Sequence, residues 1–147
     1  MKNPKNPIIE QALKILESEV REGEPITNPD PLKDILRLKY GKLKTEVIGG
    51  VLLDQSHRII EITIFEHGIE NRAHCYTKKI VARLLKKNAS ALILFHNHPS
   101  DSPEFSKQDI DFHKKIKAGL EFIEIRLLDH LLITKAAVYS ATEKGVF

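Results

Sequence analysis

Two histidines one residue apart, a serine and an aspartate are the side chains here whose types and spacing could do chemistry. They lie in Leu92-Ile93-Leu94-Phe95-His96-Asn97-His98-Pro99, followed by Ser106 and Asp109. The apolar run before His96 reads as a strand. Side chains at i and i+2 of a strand share a face, which sets His96 and His98 the same way, about 6–7 Å apart. Pro99, with fixed φ and no N–H, suits the end of that strand. Ser106-Lys107-Gln108-Asp109 reads as a helix start, with Ser106 as N-cap and Asp109 in the first turn. Two imidazoles at a strand end and a carboxylate on the next helix are the donor set of an open metal site. Three protein ligands leave a fourth position for water. Each fragment has a plainer reading. His-x-His pairs arise by chance, and Ser-x-x-Asp is often only a cap. The joint spacing favours the metal, and Ser106 can serve as both cap and hydrogen-bond donor.

The elements that must position these residues follow from apolar periodicity. Residues 1–6 are a polar end. Pro7 to Glu22 carries Ile8, Ile9, Ala12, Leu13, Ile15, Leu16 and Val20 at helical spacing, ended by Gly23-Glu24-Pro25. Asp30-Pro31 opens a second helix with Leu32, Ile35, Leu36 and Leu38 on its buried side and Gly41 at its close. These residues, 1–43, form an N-terminal helical arm; residues 44–147 form the main body. There, Thr45 to Leu53 reads as a buried strand whose Gly49-Gly50 marks a bulge or a close backbone approach. A turn at Asp54–His57 leads to a strand from Arg58 to Phe65, then an irregular segment from Glu66 to His74. Thr77 caps a helix with Ile80, Val81, Leu84 and Leu85 inward and Lys78, Lys79, Arg83, Lys86 and Lys87 toward water. The strand Ala89 to His96 follows, then a helix from Lys107 to Ala118. Strands at Phe122–Leu128 and Leu131–Thr134 come next, separated by a turn at Asp129-His130, with a short strand at Val138–Ser140. The order β-β-α-β-α-β-β after a helical arm implies an α/β fold: one mixed β-sheet flanked by helices.

Composition bounds the function. A length of 147 residues is that of one domain with a real core. One cysteine, Cys75, excludes an internal disulfide, and with no signal-peptide pattern the expected compartment is the cytoplasm. No apolar run reaches the ~20 residues a membrane span needs. A formal charge of +3 is too small to argue for nucleic acid by itself. His-Glu-x-x-His, a P-loop and Pro-Cys-x-x-Cys are all absent, which sets aside zincins, P-loop nucleotide binders and nucleobase deaminases. His96-Asn97-His98 is not an HNH nuclease, whose named residues are spread along the chain.

The constellation His96-x-His98-Pro99, six residues, Ser106, two residues, Asp109 resembles the JAMM motif of the JAB/MPN fold. The words from Ala91 to Ser100 and from Leu127 to Ile133 resemble the RadC family, bacterial JAB-domain proteins long labelled DNA repair proteins. The resemblance covers residues 44–147, and the arm looks like the leader of the short RadC-like proteins, without the helix-hairpin-helix segment of the long ones. It implies the JAB/MPN, cytidine-deaminase-like three-layer architecture. It also implies a zinc-dependent hydrolase of peptide or isopeptide bonds in which His96, His98 and Asp109 hold the metal. Ser106 then corresponds to the serine that hydrogen-bonds the tetrahedral intermediate, and Glu46 to the catalytic base. By residue type alone, Glu61, Glu66 and Glu70 are equally available as base, so only the resemblance selects Glu46.

One Zn2+ per chain is the expected cofactor. Two histidines and one carboxylate also suit Fe2+ or another divalent ion. Peptide or protein is the expected substrate, with no membrane partner. The competing readings are a metal-dependent nuclease or DNA-processing accessory, with the basic Lys78–Lys87 helix face as its contact, and a catalytically silent metal-binding module. The Asp129-His130 turn either orients a metal ligand through a hydrogen bond or is structural. His74, His113 and Cys75 are expected to be surface or core residues. Where the family commonly has glycine, proline and threonine, this chain has Asp101, Phe105 and Ile69. Aspartate tolerates left-handed backbone, so the turn after His98 is expected to survive.

Overall fold

Apolar on both faces, the segments around Val51 and Leu94 must be covered from two sides. The computed structural model, which describes residues 6–20, 23–68 and 77–146, sets them at the centre of a five-stranded sheet. The elements are α1 (Pro7–Glu19), α2 (Asp30–Tyr40), β1 (Val47–Leu53), β2 (Ile59–His67), α3 (Thr77–Lys86), β3 (Ala91–Asn97), α4 (Lys107–Phe122), β4 (Arg126–Ile133), β5 (Val138–Ser140) and α5 (Ala141–Lys144). The sheet order is β2-β1-β3-β4-β5; β3 and β4 run parallel and the other pairs antiparallel.

Three layers result. On one face, Leu32 and Leu36 of α2 pack with Val51, Leu53, Phe95, Leu131 and Ile133, and Tyr40 stacks on Phe95 at 5.2 Å. On the other, Ile80 and Leu84 of α3 and Phe112, Ile116 and Leu120 of α4 cover Ile48, Leu52, Leu92 and Leu94. Each such side chain contributes roughly 1.5–3 kcal/mol of burial. Helix α1 packs on α2 and buries none of its residues fully. Gly49 and Gly50 answer to both readings of their pair. The β1–β2 register shifts between Ile48 and Gly49, and a Cβ on either glycine would collide with Phe95, Thr63, Leu92 or Phe65.

Several boundaries differ from the sequence expectation. β1 starts at Val47, which leaves Thr45 and Glu46 outside the ladder. β2 continues through Glu66 to His67. Leu85 is exposed, so only Ile80 and Leu84 of the α3 stripe are buried. Helix α4 runs past Ala118 and Gly119 to Phe122, because burial of Leu120 outweighs the weak helix preference of glycine. The largest correction is at Asp129-His130, which is no turn. β4 is one continuous strand, with a register shift where Leu92 faces Leu127 and Ile93 faces Asp129. The extra residue, Leu128, is a bulge that shifts the strand's phase by one, so that His130 falls opposite Leu94 and Asp129, the residue before it, takes the other face. No helix among the described residues is long and apolar enough to cross a membrane. His74, Cys75, Glu70 and Ile69 lie outside the described residues.

Candidate metal centre

The C-terminal end of β3 carries His96 as its last inward side chain, and the chain then leaves the sheet at His98. Helix α4 begins beside it under a capping box. Ser106 Oγ accepts the Asp109 N–H at 3.1 Å, and Asp109 Oδ2 accepts the Ser106 N–H at 2.8 Å. The cap thus aims the fully buried Asp109 carboxylate at the strand end. Asp109 Oδ2 lies 3.0 Å from His98 Nε2 and 3.3 Å from His96 Nε2, and the two Nε2 atoms are 3.1 Å apart. Ligand atoms of Glu46, His96, His98 and Asp109 all lie within 4.8 Å of one another.

The hydrogen bonds around this triangle decide its chemistry. His98 Nδ1 is 2.9 Å from the Ser102 carbonyl oxygen, which can only accept, so the proton is on Nδ1. In the neutral ring, Nε2 then presents a lone pair to a carboxylate 3.0 Å away. Such an arrangement is repulsive unless a cation or a proton sits between them. Donors bound tetrahedrally at ~2.0–2.2 Å stand about 3.3–3.5 Å apart, close to the spacing seen here. The donor set therefore fits a small divalent cation held by His96, His98 and Asp109.

Glu46 reaches the site because of Asn97. With Ile48 opposite His96, continuing the antiparallel register puts Glu46 across from His98. The main-chain ladder stops short of it, and the buried Asn97 side chain takes over. Its Oδ1 accepts the Val47 N–H at 2.7 Å and its Nδ2 donates to the Thr45 carbonyl at 3.1 Å. On the β2 side, the Glu46 carbonyl accepts the Gly68 N–H at 2.8 Å. The peptide units flanking Glu46 are thus clamped from β3. Sequence reasoning missed Asn97, though its place between the two histidines was a signal: the strand period turns it away from them, toward β1.

Of the other candidate bases, Glu61 and Glu66 lie elsewhere. Glu61 forms a double hydrogen bond with Arg83, which holds its carboxyl below the usual range, and Glu66 pairs with Lys79 at 2.6 Å. The same pairs engage Lys79 and Arg83, two of the five cations of the basic face that runs from Lys78 to Lys87.

Asp101 has φ +60°, and its N–H donates to the His98 carbonyl at 2.9 Å. Its carboxylate accepts the Lys135 N–H at 3.0 Å and so points away from the metal donors. Phe105 is buried edge-on against His96 and His130. His130 Nε2 lies 2.7 Å from His96 Nδ1, whereas Asp129 on the opposite face accepts hydrogen bonds from Ser140 Oγ and from Thr142 N and Oγ1. Of the two residues read as one turn, His130 meets a donor ring and Asp129 ties β4 to α5. His113 is a core residue stacked on His130, and burial holds its pKa down to about 4, helped by Lys117 and opposed by Asp129.

Comparison with known proteins agrees with this fold. The sequence model for the RadC-like JAB domain matches residues 26–146. A UPF0758 protein of Vibrio cholerae is 35% identical over 140 residues, 95% of this chain and 88% of the relative. UPF0758 proteins of Ralstonia nicotianae and Marinobacter nauticus are 36% and 33% identical over 138 residues, 94% of this chain. The chain spans 62% of the length of those two relatives.

Proposed function

Because the chain belongs to the RadC-like JAB domain family, we propose that it is a zinc-dependent hydrolase that cleaves amide or isopeptide bonds in peptide or protein substrates. The observation that carries this reading is the convergence of Glu46, His96, His98 and Asp109, one from ahead of β1, two from the end of β3 and one from the start of α4. A divalent ion held by His96, His98 and Asp109 supplies a Lewis acid and lowers the pKa of water from 15.7 to about 7. The chain's own residues do the rest. The Glu46 carboxylate takes a proton from the attacking water and returns it to the leaving amine, an effect worth typically 10²–10⁴-fold. Ser106 Oγ already accepts the Asp109 N–H, which leaves the hydroxyl proton to donate to the developing oxyanion. Asn97 keeps the Glu46 backbone in register while this happens.

The test begins with metal analysis of protein purified without added metal, where about one zinc per chain is expected. A screen of metal-loaded protein against peptide, isopeptide and nucleic-acid substrates follows, with Glu46→Ala as control. The variant should retain metal and lose at least ~10²-fold in turnover. Unchanged hydrolysis in Glu46→Ala would show that the base is another group. Cleavage confined to nucleic acid would replace the amide reading with the nuclease one. Metal without turnover on any substrate would leave a silent binding module.

A further inference from the structure

Beneath the donor atoms lies a second imidazole contact that the proposed reaction does not use. His96 Nδ1 and His130 Nε2 are 2.7 Å apart, and both residues are 1% exposed. Two ring nitrogens at that distance share one proton, so one donates and the other accepts. His130 is held independently of His96. It stands in β4 opposite Leu94, its ring lies parallel to His113 of α4 (5.5 Å, 8°), and Phe105 is edge-on to it at 5.4 Å. The His130 ring is thus packed on two sides besides its contact with His96.

We propose that His130 is a positioning residue for the metal site: its Nε2 accepts the Nδ1 proton of His96. That bond locks His96 in the tautomer whose Nε2 lone pair faces His98 and Asp109. With the proton on Nε2 instead, the point where the three donor atoms converge would hold a hydrogen, and a cation would have to displace it. A neutral imidazole does this without placing a further negative charge under the site, where a carboxylate would add one. Phe105 and His113 hold His130 in place. The inference rests on the metal reading given above, and its test separates the two.

The experiment measures zinc affinity of the full chain by competition with a chromophoric chelator, for wild type, His130→Leu and His130→Gln. Leucine removes the acceptor, whereas glutamine offers its Oε1 near the place of the imidazole Nε2. His130→Leu should bind zinc 10–100-fold more weakly, while His130→Gln stays within about 3-fold of wild type. Long-range 1H–15N spectra of the zinc-loaded wild type should show His96 protonated at Nδ1. Equal affinity in wild type and a folded His130→Leu would overturn the inference and leave the metal site standing. Equal losses in both variants would also overturn it, since they would mark a packing role. A wild-type spectrum with the His96 proton on Nε2 decides against it even if His130→Leu fails to fold. A wild type that binds no zinc removes the metal reading and this inference together.

Discussion

Ser-x-x-acid opens a helix twice in this chain, at Ser106–Asp109 before α4 and at Ser140–Glu143 before α5. Both serines accept the N–H of the acidic residue three positions on, each at 3.1 Å. The two acids then part company. Asp109 is fully buried, folds back on the Ser106 N–H and faces two imidazole nitrogens. Glu143 is exposed and reaches Lys33 of α2 at 3.0 Å. At α5 a half-buried carboxylate comes from another strand: Asp129 accepts from Ser140 Oγ and Thr142. The same four-residue pattern makes a candidate ligand in one place and a structural clasp in the other. Side-chain length does not decide this, since glutamate is itself a common partner in a capping box. The cause is position: α4 starts at the open end of the two central strands, and α5 at the sheet's short edge strand.

Substitutions at the two acids should give the widest separation. Zinc binding to structural sites is worth about 10–16 kcal/mol over four donors, so one lost ligand costs roughly 2.5–4 kcal/mol, or about 10²–10³-fold. Asp109→Ala should lose zinc affinity on that scale by chelator competition. Glu143→Ala should leave it unchanged and cost under about 1 kcal/mol of stability, as exposed ion pairs do. Equal zinc affinity in the two variants would break the contrast.

Acid should separate the two helices next. His113 on α4 has a folded pKa of about 4 against an ordinary 6.5. Its depressed pKa means the unfolded chain binds more protons than the folded one between those values. Stability is therefore complete above pH 6.5 and falls as pH drops toward 4, by up to about 3 kcal/mol. Urea denaturation of the metal-free protein should show that slope reduced in His113→Phe and kept in Glu143→Gln. An unchanged slope in His113→Phe would place the acid sensitivity elsewhere.

The serines themselves should differ least in stability and most in kind. Each alanine substitution should cost about 1 kcal/mol through the lost cap, with the hydrogen bond to Asp129 a further loss at Ser140. Only Ser106→Ala should also slow turnover, by roughly 10²–10³-fold if its hydroxyl serves the oxyanion. Equal turnover in Ser106→Ala and Ser140→Ala would reduce Ser106 to a cap.

Much of this was legible along the chain because it is local. A strand's two-residue period puts His96 and His98 together and Asn97 apart, and a cap places Asp109 in the first turn of α4. β1, β2, β3, the helix α3 and the start of α4 followed from apolar spacing. Asp101 kept the left-handed turn that its residue type allows. What misled was polarity inside a strand. Asp129-His130 looks like a turn because two polar residues interrupt an apolar run, yet each meets a partner from a distant element, Ser140 and Thr142 for one and His96 for the other. Helix α5 carried too few residues to show a period.

By itself the sequence determined the donor types, the spacing that lets them share a point, and the helix cap that holds the aspartate. These depend on backbone geometry over a few residues. Only the tertiary structure decided which glutamate of the described residues stands beside the histidines, since that choice depends on how β1 registers against β3 and on an asparagine amide bridging the gap. It alone also set His130 under His96. That contact joins residues 34 positions apart through a strand bulge, and no local period encodes a bulge.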